Sequence, residues 1–266
     1  MKSYEIIYKK ELNYKPVISA TLIVKDCEDR IIQCLRSIED LVDEIIIVDD
    51  YSSDNSIKVI LENSNKVTHL VKNRLIDFST QRNIALELSS GEYNLNIDDD
   101  ERLTDELKKS IRSAIKNRKL DKDIYYCKRK NHNFHGSAIE VNSYPLLLKS
   151  NIRFHGEIHE RVQGSVGNLN GFINHYSDDS VKSFISDISI YSKNKAKGWI
   201  NQGREYSITF LLFRQIYVAF YLLIKRLFKE KRIKDGTKAL IYCLAWMSEE
   251  FFVAMFYIDL KKNKII

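Results

Sequence analysis

Four consecutive carboxylates at positions 98–101 (Asp-Asp-Asp-Glu) are the side chains of this sequence that could most clearly do chemistry. They follow a short, partly apolar stretch at 93–97, which the turn residues at 89–91 and the pattern predict to be a buried strand. Because like charges at this spacing repel one another, the cluster needs water around it or a cation among its oxygens. Hard oxygen ligands of this kind suit Mg²⁺ or Mn²⁺.

Two interpretations of this acidic stretch stay open at the level of the residues. Mg²⁺ usually shares its shell with substrate phosphates, and ligands of open α/β sheets bind beyond the carboxyl ends of strands. The first interpretation is therefore a metal-assisted diphosphate site, with Asp98 and Asp100 on one face of an extended segment. The second is a solvated acidic loop that caps a helix beginning near Thr104, since helix N-termini favour acids.

The elements that must position these side chains follow from the apolar pattern. Strand and helix alternate four times in the first 117 residues, which predicts a mostly parallel, doubly wound, Rossmann-like sheet with right-handed crossovers. After residue 119, two more strands and an irregular, His-rich segment predict a mixed-sheet half that covers the acidic site. The predicted strands are 17–24, 44–48, 66–71, 93–97, 124–129 and 144–149, and the helices are 28–40, one around 57–61, 79–88 and 104–117.

Other charged side chains stand at the ends of these elements. Arg82 lies where the 79–88 helix begins, so its guanidinium and the nearby backbone N–H groups could receive an anion or a base carbonyl. A surface ion pair is the alternative role for Arg82. Asp49 and Asp50 end the second strand at the mouth of the same crevice, and capping of the next helix is the alternative role for Asp50.

Composition and charge limit the class of protein. The 266 residues, 44% of them hydrophobic, are enough for one large α/β domain or for a domain with an appendage. Four scattered cysteines without a CxxC pair, and an N-terminus without the apolar segment of a signal peptide, predict reduced thiols in a cytoplasmic protein. The net charge is +6, and segment 225–238 alone carries seven basic residues against two acidic ones.

The C-terminal third is predicted to be helical from residue 181. Its two apolar segments, 208–224 and 239–260, contain charged residues near their centres, which a membrane-spanning helix tolerates poorly. We therefore predict a helical hairpin on a bilayer surface, with the basic segment against anionic headgroups. The alternatives are a helical core packed on the sheet and a homodimer surface. No nucleic-acid-binding module is recognisable, so no nucleic-acid partner is predicted.

Six segments in the same order carry a resemblance to a known family. The chain resembles the family 2 inverting glycosyltransferases of GT-A fold, and among them the bacterial enzymes that add a β-linked hexose to a lipopolysaccharide core or capsule. The likeness covers about residues 17–176. It departs from the family pattern where Asp99 replaces a small residue and where Tyr51 replaces a common glycine. The matching segments are 18–26, 42–49, 52–54, 81–83, 98–102 and 154–161.

The resemblance implies a nucleotide-diphospho-sugar as the sugar donor, in particular a UDP-hexose such as UDP-glucose, and Mg²⁺ or Mn²⁺ as the cofactor. It implies Asp100 as the direct metal ligand, with Asp98 as the second member of the metal-binding DxD pair and nearer the ribose or sugar. No catalytic role falls to Asp99. The residues that would contact the nucleotide or substrate are Ala20, Asp26, Asp49 or Asp50, Arg82 and Asp98.

The resemblance also implies the general base of the reaction. Inverting transfer needs a carboxylate that takes the proton of the acceptor hydroxyl as its oxygen attacks the anomeric carbon. The family's base falls near Glu160, with His159 orienting it or touching phosphate, and Glu157 is the competing candidate. Zinc is the minor alternative for the histidines, since the pairs His132 with His135 and His155 with His159 have spacings found in zinc sites.

The predicted protein is an α/β enzyme of GT-A fold with a C-terminal helical appendage. Residues 1–178 would form the nucleotide-sugar-binding and catalytic domain, and 179–266 the helical, membrane-associating region. The predicted activity is hexose transfer to a glycan or lipid-linked glycan acceptor, at the inner face of the cytoplasmic membrane. The alternatives are a peptide or protein glycosyltransferase of the same fold, a sugar nucleotidyltransferase, which would need a Gly-rich loop after the first strand, and a non-enzymatic membrane scaffold.

Overall fold

The computed structural model describes residues 4–117, 119–132, 138–156, 161–176, 181–229 and 236–262. These residues divide into two compact units. The first contains the described chain up to Asn131 and from Ile139 to His175, and the second contains His132, Ala138 and the described chain from Tyr176 onward. The predicted domain boundary at residue 178 lies outside the described residues.

Four parallel strands form the centre of the first unit's sheet, in the spatial order β4-β3-β2-β5. Side chains of β2 and β3 are buried along both faces, which explains why their sequences are apolar or β-branched without alternation. The predicted strands are therefore confirmed, with small changes at their ends. Their bounds are β2 Ile18–Val24, β3 Glu44–Asp49, β4 Val67–Lys72 and β5 Tyr93–Asn96.

Four helices connect and cover these strands, as the periodic pattern predicts. The apolar faces of α1 and α4 share one core with the strands, through fully buried residues such as Leu35, Leu107 and Ile111. Asp77 caps α3 by accepting from Thr80 N at 2.8 Å. The helix bounds are α1 Ile31–Ile38, α2 Ser56–Asn63, α3 Phe78–Leu88 and α4 Asp105–Lys116.

Antiparallel strands complete the sheet on both sides of the parallel centre. In the described part of the chain, the full order is β1-β4-β3-β2-β5-β8-β7-β11-β6. Strands β9 (Phe154–His155) and β10 (Arg161–Val162) pair separately. The additional sheet strands are β1 Glu5–Lys9, β6 Glu101–Leu103, β7 Ile124–His132, β8 Ala138–Lys149 and β11 Val166–Tyr176.

Two predictions about this half are wrong. The segment 151–176 is not irregular throughout, because β11 extends over eleven residues and pairs with β6. The acidic stretch is not a loop that caps α4 directly, because β6 intervenes and Thr104 accepts from Leu107 N at 3.4 Å. β6 is very short, and β11 is polar and contains glycines. The pairing of both strands is therefore determined by their neighbours in the sheet rather than by local alternation.

The described part of the second unit from residue 181 onward is helical, as predicted. Glu250 of α7 accepts from Lys195 of α5 at 2.6 Å and from Arg214 of α6 at 3.1 Å, and Arg214 also lies over the Trp199 ring. The charges that interrupt the apolar segments thus pair with one another inside this unit. The helices are α5 Val181–Asn201, α6 Ile208–Ile224, followed by a π-helical turn at Lys225–Lys229, and α7 Thr237–Lys262.

Much of α6 faces outward. Phe213 and Tyr217 are each 71% exposed, and the apolar and aromatic residues around them are also exposed. Among the described residues, no helix combines the length and the apolar character needed to cross a bilayer. We call the exposed side the α6 outer face, formed by Leu212, Phe213, Ile216, Tyr217, Phe220, Tyr221 and Ile224.

Candidate active site

The carboxyl ends of the parallel strands bring together the acidic residues singled out in the sequence. Asp26 follows β2, Asp49 and Asp50 end β3, and the acidic stretch follows β5, which lies beside β2. Since parallel strands end at the same sheet edge, these carboxylates share one side of the first unit. This edge is the candidate site.

The acidic stretch at 98–101 is a turn and not an extended segment. The backbone N–H of Glu101 donates to the carbonyl of Asp98 at 3.0 Å, so the chain reverses at 99–100. The prediction that an extended backbone points Asp98 and Asp100 to one face is therefore wrong. We call residues 98–101 the acidic turn. Each of its three aspartates meets a different basic side chain.

Asp98 pairs with Arg82. Arg82 Nη2 lies 2.9 Å from Asp98 Oδ1, and its Nη1 donates to Asn96 Oδ1 at 2.8 Å. Asn96, the last residue of β5, and Asp98, at the start of the acidic turn, thus both accept from the one guanidinium that α3 presents. Arg82 is only 6% exposed, so the alternative of a surface ion pair is wrong. The buried Arg82 guanidinium therefore holds the Asp98 carboxylate in position just beyond the end of β5.

Asp99 pairs with Arg30, which stands immediately before α1. Two guanidinium nitrogens, Nε and Nη2, each approach one Asp99 oxygen at 3.0 Å. Burial raises the pKa of Asp99 to about 6; Arg30 opposes this rise, and the charges of Asp100 and Asp98 add to it. Asp99 thus connects the turn to the start of α1.

Asp100 lies against His175 of β11, with 3.3 Å between Asp100 Oδ2 and His175 Nε2. Burial acts to raise the pKa of Asp100, but the hydrogen bond and charge of His175 outweigh it and hold this pKa below its ordinary value. The other oxygen, Asp100 Oδ1, is buried and has no hydrogen-bond partner within the described chain. An unpartnered carboxylate oxygen is the kind of atom that a hard cation binds.

Glu101 completes the turn as a fully buried carboxylate. Its Oε2 accepts from Asp98 N at 3.1 Å, and its Oε1 faces Arg129 at 3.6 Å, beyond hydrogen-bond distance. Burial first, and then the charge of Asp98, raise the pKa of Glu101 well above its ordinary value. Sequence reasoning missed Arg30, Arg129 and His175, because no fixed spacing links any of them to the turn.

The two carboxylates at the end of β3 differ in access. Asp49 is completely buried, and both its oxygens accept from Ser52, one from the backbone N–H and one from the hydroxyl. Asp50 is partly accessible; it pairs with Lys25 at 2.7 Å and accepts from Leu75 N at 2.9 Å. Asp50 is therefore the one that could contact a ligand, whereas Asp49 holds the loop.

Asp26 and Ala20 were predicted to contact the nucleotide or substrate. Asp26 is exposed and accepts from Ser53 N at 2.7 Å, which joins the loops that follow β2 and β3. Ala20 lies in the middle of β2 with no exposed surface, among core residues of the sheet. A ligand cannot reach Ala20 in this conformation, so we leave it out of the site.

Comparison with known proteins identifies the family. Residues 19–165, more than half of the chain, match the profile described as Glycosyl transferase family 2. The chain belongs to this family. The matched range extends from β2 through the acidic turn and β8 and includes every predicted site residue. The enzyme is therefore a glycosyltransferase, and the predicted α/β GT-A fold is confirmed.

Two proteins that are similar in sequence are named as glycosyltransferases, and one solved structure is reported beside them. A Rickettsia typhi protein named as an uncharacterized glycosyltransferase is 27% identical over 216 residues, covering 71% of this chain and 70% of its own. The SPbeta prophage-derived glycosyltransferase SunS of Bacillus subtilis is 26% identical over 160 residues, covering 60% of this chain and 38% of its own. The crystal structure of S. aureus TarS 1–349 in complex with UDP-GlcNAc aligns with TM-score 0.49 and 16% identity, covering 93% of this chain and 92% of that one.

Several predicted site residues cannot be located. Glu157, His159 and Glu160 lie outside the described residues, and so do one histidine of each candidate zinc pair, His135 and His159. Within the described ranges, no group of three or more His, Cys, Asp or Glu side chains could hold a metal ion. The oxygens of the acidic turn nevertheless fit Mg²⁺ or Mn²⁺ in kind, because Mg²⁺ commonly takes one or two carboxylates and completes its shell with phosphates and water.

Proposed function

We propose that the protein is an inverting glycosyltransferase that moves a hexose from a nucleotide-diphospho-sugar, in particular a UDP-hexose, to a saccharide acceptor in cell-surface glycan synthesis. The observation that carries this proposal is the acidic turn beyond β5, which contains the ion pair of Asp98 with the buried Arg82 and a buried Asp100 oxygen without a hydrogen-bond partner in the described chain. Separated charges of both signs at the carboxyl ends of parallel strands suit a diphosphate and its counter-ion.

In this proposal the carboxyl edge divides into subsites. Asp50 accepts a hydrogen bond from the base or ribose, and Asp26 lies at the neighbouring loop. Asp98 receives the ribose or sugar hydroxyls, and Arg82 fixes its orientation through their 2.9 Å contact. Because Arg82 is buried beneath Asp98, we assign it a positioning role and not a direct contact with phosphate.

A divalent ion, Mg²⁺ or Mn²⁺, would be held by Asp100, with Asp98 as the second ligand. When bound, this ion would neutralise charge on the departing diphosphate. Asp100 is suited to the task, because His175 keeps its pKa low and the carboxylate is therefore ionised at neutral pH. Arg30 and Arg102 also lower the pKa of Asp100 by their charge.

The transfer step needs a base. The acceptor hydroxyl oxygen forms a bond to the anomeric carbon from the face opposite the diphosphate, the bond from that carbon to the diphosphate oxygen breaks, and the hydroxyl proton passes to the base. We propose Glu160 as this base and His159 as the residue that orients it. The motif from Phe154 to Arg161, which follows β8, supports the assignment.

A nucleotide-binding measurement tests the first half of the proposal. Isothermal titration of the purified protein with UDP in the presence of Mn²⁺, followed by a hydrolysis screen across UDP-, GDP- and dTDP-sugars, should give saturable binding and turnover of one class. If no nucleotide or nucleotide-sugar binds at millimolar concentration, with or without metal, the proposal is wrong.

A pair of matched variants tests the base. Glu160→Gln should abolish transfer while nucleotide affinity remains within about twofold, since the amide keeps the shape but cannot accept the proton. Glu157→Gln is the control and should keep most of the activity. If Glu160→Gln remains active and Glu157→Gln does not, the role belongs to Glu157.

We also propose that the acceptor is a glycan on a lipid carrier or lipid core, reached by attachment to the inner face of the cytoplasmic membrane. The α6 outer face exposes a row of aromatic and aliphatic side chains, while the charges of α6 and α7 pair inside the unit. The segment 225–238, which follows α6, carries the concentrated basic charge. An apolar face next to basic residues matches an anionic bilayer surface.

Vesicle flotation tests this attachment. The protein should float with phosphatidylglycerol vesicles and much less with phosphatidylcholine vesicles at physiological salt. The double variant Phe213→Ser, Tyr217→Ser should remain in the soluble fraction, whereas Ile190→Ser, which changes an exposed residue of α5, should float like the unaltered protein. A wild-type protein that never floats refutes attachment; a dimer that the double variant dissociates favours the homodimer surface instead.

A further inference from the structure

Tyr51 stands out at the carboxyl edge because its backbone adopts a conformation that bulky residues avoid. Its φ angle is +52°, in the left-handed region, immediately after Asp50. Such an angle costs energy for any residue with a Cβ, and for an aromatic residue it is an outlier. Glycine would adopt the same angle without this cost. A strained aromatic residue beside a ligand site calls for a functional reason.

The side chain of Tyr51 is open to a ligand and held by two cations. It is 45% exposed, although most large hydrophobic side chains of the parallel half are buried. Lys72 Nζ lies 5.6 Å and Arg74 Cζ 5.4 Å from the ring centroid, both within cation–π reach. Neither cation forms an ion pair with a carboxylate among the described residues.

These contacts orient the ring at the ends of β3 and β4. Lys72 is the last residue of β4 and lies opposite Asp49 in the sheet register. Asp50, which precedes Tyr51, has its pKa held below the ordinary value: burial acts against this, and the Lys25 contact, the Leu75 N–H and the charge of Arg74 produce it. The edge therefore presents a planar ring, an acceptor carboxylate and two cations within a few residues of one another.

We propose that Tyr51 is the stacking platform for the base of the nucleotide that the enzyme binds. A planar heterocycle can stack on the exposed ring while Asp50 accepts from one of its N–H groups, and the cations favour the attached diphosphate. This inference rests on the proposed nucleotide-sugar site and adds to it the residue that holds the base.

The test compares Tyr51→Gly and Tyr51→Phe, with UDP and inorganic pyrophosphate as probes in the presence of Mn²⁺. Tyr51→Gly should unfold at the same or a higher temperature than the unaltered protein, because the strain is gone. Its affinity for UDP should fall by about tenfold, the loss of one stacking contact, while pyrophosphate binds as before. Tyr51→Phe keeps the ring and should bind UDP within about twofold.

The outcomes separate this inference from the function it rests on. If the unaltered protein binds UDP and Tyr51→Gly binds it equally well, the stacking role is wrong and the proposed function is untouched. An equal loss of UDP and pyrophosphate affinity in Tyr51→Gly would also overturn it, because the side chain would then act on the diphosphate or on the loop. If no nucleotide binds the unaltered protein, both proposals fall.

Discussion

The two ends of the parallel strands both bury carboxylates, but they satisfy them differently. At the amino end, Glu44 begins β3 and is 2% exposed, and its oxygens accept four hydrogen bonds of 2.6 to 3.0 Å. At the carboxyl end, the acidic turn leaves Asp100 Oδ1 and Glu101 Oε1 without hydrogen-bond partners in the described chain. We call Glu44 and its three donor residues, Ser19, Thr68 and Ser90, the amino-edge cluster.

We interpret this as a difference between a carboxylate that stabilises the fold and carboxylates that, in the proposed function, bind a ligand. Glu44 connects three segments through neutral donors and needs no further partner. In the acidic turn, burial first and then the charges of neighbouring aspartates raise the pKa of Asp99 to about 6 and the pKa of Glu101 well above its ordinary value. Buried carboxylate oxygens without hydrogen-bond partners in the described chain, together with raised pKa values, are typical of a site that a cation or substrate completes.

The largest expected effect is at the amino-edge cluster. Glu44→Ala leaves the hydroxyls of Ser19, Thr68 and Ser90 without their acceptor and should lower the free energy of unfolding by about 4 kcal/mol in urea titration. Glu44→Gln, which keeps one acceptor oxygen, should lose less. Nucleotide affinity of the folded fraction should not change, since β3 separates the two edges by roughly 20 Å. A loss below about 1 kcal/mol would contradict a structural role for Glu44.

Substitution in the acidic turn should lower the rate of sugar transfer and leave the free energy of unfolding nearly unchanged, the reverse of substitution in the amino-edge cluster. Asp100→Asn should reduce the rate of sugar transfer by at least about 100-fold, because a ligand of the proposed cation is lost. Its free energy of unfolding should change by less than about 1 kcal/mol, since removing one of several like charges offsets the lost His175 contact. Asp99→Asn is the matched control and should keep its rate within about threefold. Equal rate losses in both variants would remove the distinction between Asp99 and Asp100.

Glu250 in the second unit is a buried carboxylate whose two oxygens both accept hydrogen bonds, as those of Glu44 do. Burial acts to raise the pKa of Glu250, but Lys195 and Arg214 outweigh it and hold this pKa below its ordinary value. The ionised form therefore stabilises the fold above the unfolded-state pKa of about 4.3, and this contribution disappears as pH falls through the lower folded-state pKa. Glu250→Gln should cost about 2 to 3 kcal/mol at pH 7 and progressively less in acid. A pH-independent difference would show that the charge of Glu250 is not the cause.

The smallest expected effect is in the loops that close the carboxyl edge. Ser52 donates to Asp49 and accepts from Asp26 N at 2.9 Å, so Ser52→Ala should lower the free energy of unfolding by about 1 kcal/mol. Ser53→Ala removes only an exposed hydroxyl contact to Asp26 and should cost less than half as much. If the two variants are equally stable, Ser52 does not hold the loops together.

Much of the parallel half could be predicted from the sequence. The buried faces of α1 and α4 follow from apolar residues at helical spacing, and β3 follows from a continuous β-branched run. The family motifs carried the glycosyltransferase assignment. In contrast, β6 and β11 were not predictable, because a three-residue strand and a polar, Gly-containing one are stabilised by pairing with neighbouring strands of the sheet, which no local pattern shows.

The residues by themselves determined that carboxylates end the parallel strands, because local periodicity fixes where each strand stops and which residue follows it. Only the tertiary structure decided what each carboxylate meets. Arg30 contacts Asp99 from 69 residues away, and Arg82 contacts Asp98 from 16 residues away. Such pairings depend on strand order and helix position, which no local pattern contains. The fold therefore made Asp99 a structural tie and left Asp100 with an oxygen free of described partners.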